Sequence, residues 1–207
     1  MAMPEKPLSG LLVVSIEQAV AAPMCSMRLA DAGARVLKIE PPGGCESRFT
    51  PPLTPGAEGD PEGSCYWRAW GLGKRSVVLD LDSDGDRARF LDLVRGADLL
   101  IESFTPGAMD ARGLGYEALR AENPALLYVS ISPFGQTGPY APHPATDLTL
   151  SAAGGLLNMQ GDGDRPPIPV GFPETVHLGA VQAAADAITA LYERNRSGEG
   201  QHLDTSI

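Results

Sequence analysis

The 207-residue sequence lacks the features that define several large functional classes. Its apolar runs all fall well short of the ~20 residues that a membrane-spanning helix needs. Residues 1–7 carry no apolar signal-peptide core. Positive charge is also scarce: 16 Lys and Arg stand against 26 Asp and Glu, giving a net charge of −10. We therefore expect a cytoplasmic protein that has neither a membrane nor a nucleic acid as partner.

Cysteine and histidine are equally sparse. Cys25, Cys45 and Cys65 include no CxxC pair, which excludes zinc-ribbon and thioredoxin-like sites and is typical of free thiols in a reducing compartment. The three histidines are too dispersed to suggest a zinc site, so we predict no metal. The sequence also has no P-loop, no G-x-G-x-x-G after its first apolar run, and no G-x-S-x-G elbow. Because these motifs are absent, general motif rules do not identify a reaction or a cofactor for this sequence.

Short apolar runs do alternate with helical patterns along the whole chain. The runs predict strands at 11–16, 35–40, 76–81, 98–102, 126–132 and 202–207, and the helices fall at 24–32, 84–96, 116–122, 147–157 and 174–197. This alternation predicts an α/β fold with an open, mostly parallel sheet and helices on both faces. The run at 11–16 is continuously apolar and should be an internal strand. Residues 45–66 are rich in Pro, Gly and charge and predict a long loop.

We treat residues 1–207 as a single domain portion. The last predicted strand reaches the end of the sequence without a closing element, so we expect the fold to need a further C-terminal part or a partner chain. In an open α/β sheet, a ligand is expected beyond the carboxyl ends of the strands.

Seven stretches, read in order, resemble family III CoA-transferases, the group that includes formyl-CoA transferase and α-methylacyl-CoA racemase. The most distinctive is ISPFGQTGPY at 131–140, and ADLLIESFTPG at 97–107 is a further match. The other matching stretches are 8–11 with 21–23, 29–43, 73–81, 113–119 with 123–124, and 196–201. The resemblance covers almost the whole chain and marks it as the N-terminal, CoA-binding portion of such a protein.

The resemblance implies a Rossmann-like domain that binds coenzyme A esters and transfers CoA between carboxylic acids. A carboxylate at the start of the long helix would attack the thioester and form a mixed anhydride, which CoA then converts into an enzyme-bound thioester. It also implies positions for the ligand. The pantetheine side corresponds to Ala19, Val20 and Ala21, the adenine side to Leu79, Ser103 and Phe104, and the phosphate partners to Arg48, Lys74, Arg75 and Arg112.

The sequence departs from the family pattern at the reacting carboxylate. Val176 occupies the position of the catalytic Asp, and valine can act neither as nucleophile nor as base. Glu174 and Asp147 are therefore the candidate catalytic carboxylates. Glu174 would lie in the first turn of the helix if Pro173 is its first residue. For Asp147, a helix N-cap role is an equal alternative. Thr146 replaces the His that the racemases use.

Three functions remain open. The chain is a CoA-transferase subunit that works with a partner chain supplying the carboxylate; or a racemase or CoA-ester lyase, which Thr146 and Val176 disfavour; or a non-catalytic subunit of a heteromeric transferase. The expected partners are an acyl-CoA, a carboxylic acid, and either a homologous second polypeptide or further copies of the chain. The acyl group cannot be predicted, because acyl selectivity depends on loops rather than on the fold.

Overall fold

A computed structural model describes residues 5–207 of the chain. Its core is a six-stranded sheet in which every neighbouring pair is parallel, with the order β3-β2-β1-β4-β5-β6. The strands are β1 (Leu12–Ile16), β2 (Arg35–Glu40), β3 (Lys74–Val78), β4 (Leu99–Glu102), β5 (Leu127–Ser132) and β6 (His202–Ser206). The predicted α/β class and parallel sheet are confirmed, and β1 is internal, as its apolar run predicts.

Within residues 5–207, seven helices connect and cover the strands. They are α1 (Ala21–Asp31), α2 (Cys65–Trp70), α3 (Asp84–Arg95), α4 (Ala108–Ala111), α5 (Tyr116–Glu122), α6 (Asp147–Ala153) and α7 (Glu174–Ser197), with 3₁₀ turns at Glu46–Arg48 and Leu157–Met159. The bounds of α5 and the start and end of α7 are as predicted. Gly198 ends α7 in the left-handed conformation, with φ of 78°.

The prediction was wrong at three places in the first half of the chain. Helix α1 begins at Ala21 rather than residue 24, because Pro23 lies in its first turn, where a missing N–H costs nothing. The stretch predicted to be only loop contains a 3₁₀ turn and ends in α2, which is capped by the Ser64 side chain. The third strand covers 74–78 instead of 76–81, because it pairs with β2 from Lys74 onward.

The sheet divides the apolar core into two layers. On one face α1 and α7 pack together over the strands, with Cys25, Leu29, Ala183 and Ala187 buried against Val13. On the other face α3 and α5 bury Phe90, Val94 and Leu119 against residues such as Val14. Successive residues of β1 therefore point into different cores, as expected for a strand covered on both faces.

Small residues let α7 lie close to the sheet and to α1. Alanine or glycine occupies most of its buried positions, including Gly179, Ala180, Ala183, Ala184 and Ala187. None of the helices within residues 5–207 has the length and apolar character needed to cross a membrane.

Candidate functional site

A cavity of about 350 Å³ opens at the carboxyl ends of the central strands. We call it the strand-end pocket. Loops that follow β1, β2 and β4 form it together with the segment after β3, and its lining includes Ile16, Glu17, Ala19, Glu40, Cys45, Leu79, Asp82, Phe104 and Arg112. This is the edge at which an open parallel sheet is expected to hold its ligand.

Four of the positions implied by the family resemblance meet in this pocket. Ala19, Leu79, Phe104 and Arg112 come from segments that are up to 93 residues apart in sequence, and all four line it. The Arg112 guanidinium lies 5.7 Å from the centre of the Phe104 ring and 3.1 Å from the Asp82 carboxylate. A flat apolar wall with a half-exposed cation beside it suits an aromatic ligand group that carries phosphate.

Ser103 does not line the pocket but joins the two loops that follow β1 and β4. Its hydroxyl accepts a hydrogen bond from Gln18 N at 3.0 Å and lies 3.2 Å from Gln18 O, so it joins the loops after β1 and β4. The next residue, Ala19, has φ of 54°, a left-handed conformation that L-residues seldom adopt. Strained backbone of this kind persists where neighbouring contacts hold it, and it concentrates at functional sites.

The remaining positions implied by the resemblance lie outside the pocket lining. Val20 is the N-cap residue of α1 and Ala21 is its first residue, so both follow Ala19 directly in the chain. Arg75 is exposed on β3, the edge strand of the sheet. These assignments stay predictions.

Lys74 lies in a buried charge cluster beneath the strand-end pocket. Its ammonium donates to the Glu17 carboxylate at 2.8 Å and to the Pro23 carbonyl at 2.7 Å, while Lys38 lies 3.3 Å from the other Glu17 oxygen. The Ser15 hydroxyl also donates to Glu17, at 2.8 Å, and Ser26 contacts it. With its side chain 3% exposed, Lys74 has its hydrogen bonds committed inside the protein, an arrangement that does not favour direct phosphate binding.

Burial and the neighbouring charges have opposite effects on the pKa of Glu17. Burial alone would raise the pKa of Glu17, but the charges of Lys74 and Lys38 and the hydrogen bonds from Lys74 and Ser26 outweigh burial and lower it. Burial conversely lowers the pKa of Lys74, against the charge of Glu17, which raises it. The lining of the strand-end pocket itself includes four acidic residues, Glu17, Glu40, Glu46 and Asp82, and the cation Arg112. No local sequence pattern marks Glu17 and Lys38, because the residues of this cluster come from different strands and loops and meet only in the folded chain.

Arg48 is likewise committed within the protein. Its guanidinium forms a two-pronged ion pair with Glu40, with distances of 2.7 and 2.8 Å, and it also pairs with Glu62. Burial of Glu40 opposes its ionisation, yet hydrogen bonds from Arg48, Ser76 and the Cys45 backbone lower its pKa to about 2. Arg112 is thus the one predicted phosphate partner that lines the pocket in the described chain.

A second cavity, of about 280 Å³, lies at the start of α7, and we call it the α7 pocket. Its lining is Asp147, Leu148, Ser151, Gln160, Pro169, Val170, Gly171, Phe172, Pro173 and Glu174. The helix begins at the predicted residue, Glu174, and Pro173 is its N-cap residue instead of its first helical residue. The Glu174 carboxylate faces Gln160, whose side-chain nitrogen lies 3.3 Å away.

Asp147 has a structural contact in this region. One of its carboxylate oxygens accepts a hydrogen bond from Val176 N at 3.0 Å, so Asp147, from α6, supplies the side-chain cap that Pro173 does not give to α7. The N-cap of α6 itself is Thr146, which accepts from Thr149 N in a capping box. Asp147 thus has a helix-capping contact, at the start of α7 and not as the N-cap residue of α6, and its catalytic assignment stays a prediction.

Among the described residues, neither pocket contains a cluster of side chains suited to a metal ion. Across residues 5–207, no three His, Cys, Asp or Glu side chains converge as metal ligands.

The fold and the strand-end pocket define an α/β protein with a cavity at the carboxyl edge of a parallel sheet. The family model for CoA-transferase family III matches residues 8–207, and the chain belongs to that family. The resemblance drawn from the sequence is thereby confirmed.

Similar proteins agree with this assignment. Acetyl-CoA:oxalate CoA-transferase from Acetobacter aceti is 43% identical over an aligned length of 208, which covers 100% of this chain and 52% of that protein. Subunit BbsE of succinyl-CoA:(R)-benzylsuccinate CoA-transferase from Thauera aromatica is 36% identical, over 89% of this chain and 45% of the subunit. The crystal structure of a CAIB/BAIF family protein from Brucella suis superposes with a TM-score of 0.91 at 36% identity, covering 98% of this chain and 53% of that one. The chain spans about half the length of the curated relatives it matches.

Proposed function

We propose that this chain is the CoA-ester-binding half of a family III CoA-transferase. The observation that carries the proposal is the strand-end pocket, where Ala19, Leu79, Phe104 and Arg112 form one surface although the sequence separates them widely. In this proposal the adenine packs near Phe104 and Leu79, Arg112 pairs with a phosphate, and the pantetheine arm passes the strained loop at Ala19.

The reaction is transfer of CoA from an acyl-CoA to a carboxylic acid. A carboxylate attacks the thioester carbonyl, the C–S bond breaks, and the CoA thiolate leaves an acyl anhydride behind. The thiolate then attacks the enzyme-derived carbonyl and releases the first acid, and an acceptor carboxylate takes up the CoA in the same way. Val176 cannot perform the first step. The proposal therefore assigns the attacking carboxylate to a partner chain, with Glu174 in the α7 pocket as the candidate within this chain.

A partner polypeptide is part of the proposal. Strands β3 and β6 are the edges of the sheet, and α7 exposes Leu178, Val181, Ile188 and Tyr192, which are 44–68% accessible. Open strand edges and apolar helix faces are surfaces that proteins usually cover. The relative named as subunit BbsE favours a heteromeric arrangement, in which this chain could also be the non-catalytic subunit. Thr146 and Val176 continue to disfavour racemase chemistry.

Calorimetric titration with CoA and acetyl-CoA tests ligand binding, with the chain alone and after co-expression with neighbouring genes. We expect micromolar affinity at best. Arg112→Gln should weaken binding about tenfold, since a hydrogen bond to a charged group contributes ~1.5–3 kcal/mol. Arg89→Gln is the matched control, because Arg89 is an exposed arginine paired with Asp86 and does not line the strand-end pocket. If neither CoA nor acetyl-CoA binds, whether the chain is alone or co-expressed, CoA binding is refuted.

Trapping with hydroxylamine tests the chemistry. We expect no trapped acyl group in the unmodified chain alone, and a trapped acyl group in Val176→Asp or after addition of the partner. A trapped intermediate in the unmodified chain that disappears in Glu174→Gln would show instead that Glu174 is the nucleophile.

A further inference from the structure

The four carboxylates that line the strand-end pocket differ in their partners. Glu17 and Glu40 are buried and paired with cations inside the protein. Lys74 and Lys38 lie within 3.3 Å of the Glu17 carboxylate, and Arg48 forms its two-pronged ion pair with Glu40. Breaking a buried ion pair leaves an uncompensated charge, so neither carboxylate is free to change its partner when a ligand binds. The charge that a ligand meets therefore depends on the exposed carboxylates.

Asp82 and Glu46 are the exposed carboxylates of the pocket. Asp82 lies in the turn between β3 and α3, and its side chain is 72% exposed. One of its carboxylate oxygens accepts a hydrogen bond from Arg112 Nε at 3.1 Å. Glu46 lies in the 3₁₀ turn that follows β2 and forms no ion pair with another described residue. Of these two carboxylates, Asp82 is thus the one that engages the pocket cation Arg112.

The Arg112 guanidinium is only weakly held. Its Nε donates to Asp82, and its Nη1 lies 3.4 Å from the Ala108 carbonyl oxygen, which is long for a hydrogen bond. The arginine side chain is 36% exposed and lies 5.7 Å from the centre of the Phe104 ring. Exposed ion pairs contribute little free energy, so a ligand with a more strongly charged acceptor can replace Asp82.

A phosphate and the Asp82 carboxylate require the same donor. Both groups accept hydrogen bonds, so a phosphate that binds Arg112 Nε must displace the Asp82 oxygen. The two groups also carry charge of the same sign and repel each other. A phosphate forms charge-assisted and often two-pronged bonds with arginine, whereas Asp82 is bound through one nitrogen. The phosphate is therefore the stronger partner of Arg112, but it binds less tightly than it would without Asp82.

We propose that Asp82 competes with the ligand's phosphate for Arg112: it pairs with the guanidinium while no ligand is bound, and the phosphate displaces it when a CoA ester binds. This proposal rests on the proposed function, in which Arg112 pairs with a phosphate, and it identifies Asp82 as a residue that sets the affinity. Phosphates are common to CoA and all of its esters, so the competition lowers the affinity for donor and product alike. Because affinity differences lie mostly in dissociation rates, Asp82 also speeds release of the ester.

A double-mutant cycle measured by calorimetric titration with CoA tests the competition. Asp82→Asn removes the charge but keeps the size of the side chain, and we expect about fivefold tighter CoA binding, equivalent to ~1 kcal/mol. In Arg112→Gln the same substitution should change the affinity less than about twofold, because no guanidinium is left to release. Urea unfolding should give the same midpoint for all variants, since this ion pair is exposed.

Glu46→Gln is the matched control for the charge of the pocket. It removes one exposed carboxylate from the same lining without releasing a cation, so its effect on CoA binding should be equal with and without Arg112. A second readout is the Arg112 Nε–H signal in a ¹H–¹⁵N NMR spectrum, which Arg112→Gln assigns. We expect both CoA and Asp82→Asn to shift this signal. The Nε–H signal of Arg95, which donates to Glu122 at 2.9 Å on the surface, should stay in place.

Three results would overturn this inference while leaving CoA binding intact. Weaker CoA binding in Asp82→Asn would show that Asp82 positions Arg112 for the ligand instead of competing with it. Equal tightening with and without Arg112 would show that general repulsion accounts for the effect. An Arg112 Nε–H signal that CoA does not shift would show that the ion pair persists in the complex. Absence of CoA binding by the unmodified chain, alone and co-expressed, would instead overturn the proposed function.

Discussion

The buried Glu17 cluster allows a quantitative prediction about stability. Glu17→Gln removes the negative charge that two lysines share, and all three side chains are at most 3% exposed. Breaking a buried ion pair from one side costs ~3–5 kcal/mol, because the remaining charge stays buried without compensation. Since a domain is typically stable by only ~5–15 kcal/mol, the loss would be a large share of the total.

Urea unfolding followed by circular dichroism measures this loss. With an m-value of ~1–3 kcal/mol/M, the midpoint should fall by more than ~1 M. Glu122→Gln is the control, because Glu122 pairs with Arg95 on the surface, where both side chains are over a third exposed, and its midpoint should barely change. Adding Lys74→Met to Glu17→Gln should recover part of the loss. A midpoint for Glu17→Gln equal to that of the control would refute the reasoning.

Two further predictions concern the same fold. Asp147→Ala removes the side-chain cap of α7 and should cost ~1 kcal/mol in urea unfolding, with a smaller loss in Asp147→Asn, which keeps an acceptor; equal losses would contradict the capping role. The pKa of Glu40 is lowered from 4.5 to about 2, so its contribution is fully present above pH 4.5 and is lost as the pH falls toward 2. Thermal melts of Glu40→Gln should therefore differ from those of the unmodified chain at pH 6 and converge near pH 2; a constant difference at both pH values would contradict this assignment.

The predicted phosphate partners show which part of the site can be identified from the sequence. Basic residues near the expected ligand edge were found from the family resemblance, but Lys74, Arg48 and Arg112 look alike as sequence positions. The fold separates them: Glu17 engages Lys74, Glu40 and Glu62 engage Arg48, and Arg112 lines the pocket. Arg112 also has a carboxylate partner, Asp82, but that ion pair is exposed to solvent, whereas the Lys74–Glu17 and Arg48–Glu40 pairs are buried. Burial of the ion pair, which only the fold reveals, therefore distinguishes the structural cations from the candidate ligand-binding one.

At the start of α7, likewise, the helix bounds can be predicted from the sequence but the tertiary contacts cannot. Pattern and capping rules place the helix at 174–197, and Gly198 ends it. They do not show that Asp147, from another helix, caps Val176 or that His177 meets Trp70 across more than 100 residues of sequence. Those contacts depend on how α6, α7 and α2 pack.

The sequence by itself determined the α/β class, the parallel sheet with an internal first strand, most of the helix and strand positions, and the family. Hydrophobic periodicity, turn residues and short motifs are local properties, and a chain displays them before it folds. Tertiary structure alone decided which of the implied residues share the strand-end pocket, which charges neutralise one another beneath it, and which side chains meet at the start of α7. These are properties of distances between segments remote in sequence, and burial decides their energies, because removal from water makes each pairing or each missing partner count.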